Sequence, residues 1–409
     1  MNRQFILTAI LLGLFQIMNC QVISEWRNIG RTGEYDEPGL MQVWPAGGPP
    51  MIMSLTGLPK GNSSVTIGRD KLYITGVTGE YEVLIAMDMQ GHRLWETIFG
   101  RAWTESYPES RCTPTLDGDR LYVTSGVLDA ACINAETGKI IWTDRVNDKF
   151  EGAFGGWGKA ESPLVIGDLV YFTPAGDKTT MVALNKMTGE TVWESESLKD
   201  ISSYVSPLLV NYNGLQFIAG LTDRYIFAIT PADGRLLWKY DYGSSLHLCT
   251  PVYADGRLFV STGYDHGGVM LKLSPDGKEP TLLWKDDHMD THHGGYVRVS
   301  HYLYGSNWLS NSKGRWVCID WNTGQLMYET DWINKGPIIT AGGMLYCYEE
   351  KSGNIALVRA TPEKFDKVSS FKVPLGSGPN WSHPVIHGGI LYIRHGDALM
   401  AFDIREKTG

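Results

Sequence analysis

The sequence has no long block of charge of one sign. Its 409 residues include 36 Lys and Arg and 45 Asp and Glu, which gives a formal net charge of −9 at pH 7. Proteins that bind nucleic acid or anionic membranes usually cluster basic residues on one surface. The charge distribution therefore favours neither nucleic acid nor a membrane surface as a partner.

Cysteine is scarce, and its spacing argues against two common uses. After Cys20 the chain contains five cysteines, an odd number with no Cys-x-x-Cys spacing and no adjacent pair. This pattern is not that of a disulfide framework or a structural zinc site. We expect all five to be small buried residues within strands: Cys112, Cys132, Cys249, Cys318 and Cys347.

Long apolar runs are lacking beyond the N-terminus, so no membrane span is expected. The apolar run at residues 5–17 follows Arg3 and is too short to cross a bilayer. This is typical of a secretory signal, and we assign residues 1–20 to a signal peptide. Release after Cys20 and lipidation of Cys20 both remain open, and Asn19, unusual before a lipidated cysteine, favours release. The protein is expected to be exported: periplasmic, secreted, or an outer-membrane lipoprotein.

A repeated motif dominates the rest of the chain. NAETGKIIW at residues 134–142 recurs as NKMTGETVW at 185–193 and TPADGRLLW at 230–238, at intervals of 51 and 45 residues. Each repeat contains short apolar runs joined by turn signals, and the repeat from Thr250 to Trp284 has Asp255-Gly256 as such a signal. Four antiparallel strands per repeat form the blade of a β-propeller, so the sequence predicts an all-β fold.

The number of blades follows from the ends of the outer strands. Seven such ends are present, and three further strands follow near residues 384–386, 390–394 and 398–403. Residues 50–55 supply the missing fourth strand, so we predict eight blades, the last closed by an N-terminal strand, with residues 21–409 as a single domain. The recurring aromatic residue is expected to pack between blades: Trp95, Trp142, Trp193, Trp238, Trp284, Tyr328 and Phe371.

Several motifs carry a family resemblance. They are the repeat at residues 134–142, WRNIGRTG at 26–33, WPAGGP at 44–49, WG at 157–158 with ESPL at 161–164, HHGG at 292–295, and Trp381 with HP at 383–384. Together they resemble the secreted bacterial PQQ-like β-propeller family of the quinoprotein alcohol dehydrogenase-like superfamily. The resemblance implies the fold over nearly the whole mature chain. It does not single out an activity, because the same blade occurs in quinoprotein dehydrogenases and in the scaffold lipoprotein of the outer-membrane barrel-assembly machine.

Candidate site residues cluster where the blades meet. The segments before the inner strands and the loops between second and third strands converge on one mouth of the central channel, and six of the 10 histidines fall in them. Imidazoles and carboxylates can hold a polar ligand, a metal or a proton, and tryptophans can stack on a sugar. The ligand-binding candidates are Arg111, Glu161, His247, Asp265, His266, His292, His293, Trp308, Trp381, His383, Arg394 and His395.

Purely structural roles, an organic ligand and a metal remain open for these residues. Because spacing alone does not establish coordination geometry, we assign no metal and no cofactor. The first functional hypothesis is an exported, monomeric, non-catalytic module that binds a small ligand, a carbohydrate or an envelope protein through the mouth. It is preferred because neither a zincin motif nor a nucleophile elbow is present.

Two enzymatic hypotheses are kept as alternatives. The resemblance implies a PQQ-dependent dehydrogenase of alcohols, polyols or sugars, with calcium held by Asp or Glu, although the adjacent cysteine pair of those enzymes is absent here. The other alternative is a carbohydrate lyase or hydrolase. In that case His292, His293 and His383 would accept protons, and Arg111 or Arg394 would neutralise a uronate.

Overall fold

The strands of the computed structural model form eight four-stranded antiparallel blades, as the sequence predicted. The structure describes residues 22–244 and 246–407, so the proposed signal peptide and Cys20 lie outside the described residues. Helix is confined in this part of the chain to a 3-10 turn, Ile29–Arg31, and one short α-helix, Val146–Lys149. No helix in these ranges has the length and apolar character to cross a membrane.

Blades 1 to 8 are numbered along the chain, and each is given from its inner to its outer strand. Blade 1 comprises Thr66–Ile67, Lys71–Thr78, Tyr81–Asp88 and Arg93–Arg101, and blade 2 comprises Thr115–Asp117, Arg120–Thr124, Asp129–Asn134 and Ile140–Arg145. Blade 3 comprises Leu164–Ile166, Leu169–Phe172, Val182–Asn185 and Thr191–Glu194, and blade 4 comprises Leu208–Tyr212, Leu215–Leu221, Tyr225–Ile229 and Leu236–Asp241. Blade 5 comprises Val252–Ala254, Arg257–Ser261, Gly268–Leu273 and Pro280–Asp286, and blade 6 comprises Tyr296–Val299, Tyr302–Ser306, Trp316–Asp320 and Leu326–Thr330. Blade 7 comprises Ile338–Ala341, Met344–Tyr348, Asn354–Arg359 and Asp366–Lys372, and blade 8 comprises Val385–His387, Ile390–His395, Ala398–Asp403 and Met51–Leu55.

The repeated tryptophan joins each blade to the next. Trp142 of blade 2 donates a hydrogen bond from Nε1 to the carbonyl of Lys186 in the outer turn of blade 3, at 3.0 Å. Gly189 in the same turn has a φ of +77°, and a Cβ there would lie 2.8 Å from the indole ring of Trp142. Trp193 repeats the arrangement with Pro231 and Gly234. The predicted packing role is confirmed, and the glycine of the motif is needed both for its left-handed backbone and for its lack of a side chain.

Ring closure follows the predicted scheme. Met51–Leu55 pairs antiparallel with Ala398–Asp403, with Met51 opposite Phe402 and Leu55 opposite Leu399. The N-terminal strand therefore completes blade 8 and covers the edge that an open array would expose. The five cysteines that the structure describes are buried and free, as expected for small apolar residues in strands.

A segment before that strand, residues 23–35, crosses the channel. Ile23 pairs with Ile67 of blade 1. The Arg31 guanidinium donates to the carbonyls of Ser162 and Pro163, next to the inner strand of blade 3, at 3.1 and 2.8 Å. Glu34–Tyr35 then pairs in parallel with the inner strand of blade 7. We call residues 23–35 the cross-channel segment, and its position makes it part of the site described next.

Candidate functional site

A cavity of about 350 Å³ lies at the predicted channel mouth. Each of the eight blades contributes a lining residue from a segment or loop at that end: Asn62, Arg111, Ser162, Ser206, Leu248, His292, Glu350 and Trp381. The cross-channel segment adds Trp26. A single concave site assembled from every blade is the geometry expected for function in a propeller.

Aromatic rings form much of the cavity wall. Six aromatic residues line it: Trp26, Tyr107, Trp157, Tyr204, Tyr264 and Trp381. The Trp381 ring contacts the rings of Tyr107 and His293, with centroids 5.1 and 4.5 Å away, respectively. Tyr107 and Trp157 remain 52% and 46% exposed, so the aromatic surface continues onto the rim. This wall is suited to stacking against a ring or a sugar.

His292 and His293 are adjacent in the wall, with ring centroids 3.6 Å apart. Nε2 of His292 lies 3.0 Å from the hydroxyl of Tyr264. Neither Nδ1 atom has a hydrogen-bond partner among the described residues. Burial lowers the pKa of His292, and the neighbouring His293 adds to this effect, so His292 is neutral at physiological pH.

Glu350 is the carboxylate beside these imidazoles. Its Oε1 forms an ion pair with Lys335 Nζ at 2.9 Å, and its Oε2 accepts a hydrogen bond from Trp381 Nε1 at 3.2 Å. Oε2 also lies 3.8 Å from His293 Nδ1. Burial by itself would raise the pKa of Glu350, but His293 and Lys335 outweigh it and hold that pKa below its usual range. His292, His293 and Glu350 each offer one ligand atom, and these atoms lie within 4.8 Å of one another.

His383 is held by the cross-channel segment. Its Nδ1 lies 3.1 Å from Arg27 Nη1, which has only protons to donate, so Nδ1 is the acceptor and Nε2 carries the proton. Nε2 then donates to the carbonyl of His293 at 3.3 Å. Burial and the Arg27 charge lower the pKa of His383 well below its usual range. Both ring nitrogens are occupied, which fixes His383 as a neutral wall residue.

Arg111 brings positive charge to the opposite wall. One of its guanidinium nitrogens donates to the carbonyl of Ser106 at 3.2 Å, whereas Nη1 has no partner in the part of the chain that the structure describes. Burial lowers the pKa of Arg111, although Glu82 and Glu109 oppose the effect. Glu82 is fully buried below it, and burial raises its pKa to about 7.

Five of the twelve sequence candidates line this cavity: Arg111, His292, His293, Trp381 and His383. Two others are buried charges that tie strands together. Glu161 accepts the backbone N–H of Thr173 at 3.1 Å and lies 3.6 Å from Lys159 Nζ. Arg394 donates to the hydroxyl of Ser63 at 3.0 Å and to a neighbouring carbonyl. Neither lines the cavity.

The remaining five candidates lie outside the cavity wall. His247 is buried and stacks on Tyr242, and burial lowers its pKa to about 3. Asp265 and His266 donate their backbone N–H groups to the carboxylate of Asp290. The other two contact neighbouring loops: Trp308 packs on Tyr264 at 4.9 Å, and both ring nitrogens of His395 lie 2.8 Å from backbone carbonyls. Their role in binding stays a prediction.

Several lining residues were not among the candidates: Trp26, Tyr107, Trp157, Tyr204, Tyr264, Glu350 and Lys351. Tyr264 and Glu350 lie in loops between second and third strands, the same loop class that supplied Asp265 and His395. An aromatic residue in such a loop or before an inner strand is the sequence signal shared by Tyr107, Trp157, Tyr204 and Tyr264. Trp26 required knowledge that residues 23–35 cross the channel.

Comparison with known proteins places the chain in a family. A family profile described as "Outer membrane protein assembly factor BamB" matches residues 79–325. The protein of that name from Xanthomonas campestris is 25% identical over 205 residues, 49% of this chain and 46% of the relative, so the chain spans about half the length of the curated relatives it matches.

Solved structures agree on the fold. BamB from Moraxella catarrhalis superposes with a TM-score of 0.62 and 14% identity, covering 87% of this chain and 99% of that one. Quinohemoprotein alcohol dehydrogenase from Comamonas testosteroni gives 0.61 and 12%, covering 95% and 81%. At these identities the likeness concerns fold alone. Because the profile matches more than half of the sequence, the chain belongs to the PQQ-like β-propeller family described as outer membrane protein assembly factor BamB.

Proposed function

We propose that the protein is an exported, non-catalytic binding module of the cell envelope that takes a ligand into the mouth cavity. The observation that carries this proposal is the aromatic cavity built by all eight blades and the cross-channel segment. Its volume of about 350 Å³ is within the range of small-ligand sites. A wall of this kind can bind a ligand without any catalytic residue.

A carbohydrate is the first candidate ligand. Its apolar ring faces stack on Trp and Tyr, while its hydroxyls need hydrogen-bonding groups between the aromatic rings. Side chains of this kind are interspersed in the wall: Asn62, Ser162, Ser206 and Asn311. Arg111 and Lys351 add positive charge, which favours an acidic sugar over a neutral one.

The lining residues do not fit a calcium-bound quinone. Calcium takes six to eight oxygen ligands, commonly from several carboxylates. Among the described residues that line the cavity, Glu350 is the one carboxylate, which falls short of the ligand set that calcium needs. We therefore derive no dehydrogenase chemistry for this site.

The histidines also favour binding over carbohydrate cleavage. His383 has both ring nitrogens occupied, and Arg394, a candidate for neutralising a uronate, is buried away from the cavity. Burial keeps His292 neutral but lowers its basicity, whereas a general base works best with a pKa near the operating pH.

An envelope protein is the second candidate partner. The family profile and the relative from Xanthomonas campestris carry the name of an outer membrane protein assembly factor. The exposed rim residues Tyr107 and Trp157 support this candidate, because aromatic residues are enriched at protein interfaces. A peptide side chain entering the cavity would use the same wall.

The test is a glycan array and a peptide array probed with purified protein, followed by calorimetry on the best ligand. We expect Trp381→Ala to weaken binding by about fivefold or more, because an aromatic contact contributes about 1 kcal/mol beyond its buried area. Val192→Ala on the exposed outer strand of blade 3 is the matched control and should bind normally.

The outcomes separate the hypotheses. Ligand binding that Trp381→Ala weakens, without any new product in the incubated sample, supports a binding module. Release of cleaved or oxidised sugar would instead establish an enzyme. Equal binding by Trp381→Ala and Val192→Ala would place the binding surface outside the mouth and overturn the proposal.

A further inference from the structure

We propose that His292, His293 and Glu350 form a binding site for a divalent transition metal ion of the zinc type at the channel mouth. One ligand atom of each residue lies within 4.8 Å of the other two. Tetrahedral zinc, with bonds of about 2.0–2.1 Å to nitrogen and oxygen, holds its ligand atoms about 3.4 Å apart. Small side-chain rotations therefore bring the three groups to coordination distance.

The free nitrogen atoms are the second observation that points to a ligand. Nδ1 of His292 and Nδ1 of His293 are buried and have no hydrogen-bond partner within the described residues. The His292 residue is only 6% exposed. Buried polar atoms are rarely left without a partner. A metal ion would satisfy both nitrogens at once.

The surroundings orient the three ligands. When Nδ1 of His292 binds a metal, Nε2 carries the proton and donates to the hydroxyl of Tyr264, 3.0 Å away. Such an outer hydrogen bond is the usual support of a metal-bound imidazole. Glu350 is fixed in the same way, because Lys335 holds Oε1 and Trp381 Nε1 donates to Oε2.

Lys335 and the metal would not compete for the same oxygen. Lys335 Nζ lies 2.9 Å from Oε1 of Glu350 and also donates to the carbonyl of Ser310 at 2.9 Å. Oε2 is the oxygen that faces His293, at 3.8 Å from Nδ1. It retains a lone pair after accepting the hydrogen bond from Trp381.

The site would deepen the proposed function. Three protein ligands leave a fourth coordination position, and all three residues line the cavity. A hydroxyl or carboxylate oxygen of a bound ligand suits that position. This last step rests on the proposed function, whereas metal binding itself does not.

The experiment uses metal alone as the probe. Tag-free protein is stripped with a chelator and titrated with Zn²⁺ by calorimetry, and with Co²⁺ by visible absorption. We expect one equivalent to bind. His293→Gln should weaken binding more than about 100-fold, and Tyr264→Phe by about 10–100-fold, since loss of an outer partner costs that much. His301→Gln, at an exposed histidine away from the cavity, should bind like wild type.

His293→Gln is preferred to a Glu350 variant because it keeps the buried pair between Lys335 and Glu350 intact, and circular dichroism checks its fold. Absence of saturable binding to wild type would overturn the metal site, as would equal affinities in His293→Gln and His301→Gln. Because no glycan or peptide is present, this failure is distinguishable from failure of the proposed function. Arrays repeated with and without Zn²⁺ then show whether the metal contributes to ligand binding.

Discussion

Replacing Glu82 by Gln tests whether the buried layer below the mouth carries a proton at neutral pH. Glu82 of blade 1 accepts hydrogen bonds from the Ser110 hydroxyl and from the backbone N–H of Gly126. Burial raises its pKa to about 7. Gln reproduces the protonated acid, because its oxygen accepts from Gly126 while its amide donates to Ser110.

The sign and size of the effect follow from linkage. Between the ordinary pKa of 4.5 and the folded value of about 7, the unfolded chain releases the proton while the folded protein keeps it. The free energy of unfolding contributed by Glu82 is therefore fully present below about pH 4.5 and is lost as the pH rises through about 7. At about 1.4 kcal/mol per pH unit, this span corresponds to about 3 kcal/mol.

The assay is urea unfolding of wild type and Glu82→Gln between about pH 4.5 and pH 8. We expect the variant to gain stability relative to wild type, from near zero at the acid end to about 3 kcal/mol at the alkaline end. Glu80→Gln, at an exposed position of the same hairpin, controls for the loss of a charge. A difference for Glu82→Gln that stays constant with pH would refute the reasoning.

Three further substitutions test the fold around the site. Arg27→Met should lower the unfolding free energy in urea by about 1–3 kcal/mol, because it leaves buried carbonyls of blades 6 and 7 without a donor, and no loss would contradict the anchoring role. Gly189→Ala should lower the melting temperature more than Gly214→Ala, since both have positive φ but only the first Cβ meets a tryptophan ring, and equal losses would show that backbone strain alone acts. Lys159→Met should cost about 3–5 kcal/mol by leaving Glu161 buried and unpaired, whereas adding Glu161→Leu should recover most of it, and denaturant unfolding of the single and double variants checks this.

The fold was accessible from the sequence because it rests on local signals that repeat. Within each copy of the motif the glycine precedes the tryptophan by four residues, as Gly189 precedes Trp193. Each turn also meets the tryptophan of the preceding blade, so one motif describes both a hairpin and an interface. The strand that closes the ring could be predicted by counting strands, because the C-terminal residues leave the last blade one strand short. No local pattern, by contrast, shows that residues 23–35 cross the channel, because that path depends on contacts with blades far along the chain.

The part of the site that was predicted also rests on local sequence position, and the part that was missed depends on long-range contacts. His292 and His293 lie shortly before the inner strand Tyr296–Val299, and both line the mouth cavity. Glu161 has an equivalent place in sequence, yet its neighbour Ser162 lines the cavity while Glu161 points into the protein. Which of two adjacent residues faces inward depends on strand register, which the motif does not specify. The proximity of Glu350 to two histidines of the preceding blade likewise depends on how neighbouring blades pack, which no local pattern shows.

The pairing of Met51–Leu55 with Ala398–Asp403 also sets an order of assembly. The four consecutive strands of each of blades 1 to 7 can pair in succession along the chain, because each blade pairs strands that are close in sequence. The strand at Met51–Leu55 must wait for a partner made almost a full chain length later. Since every blade contributes a residue to the mouth, the proposed ligand site is complete only once the whole ring has assembled.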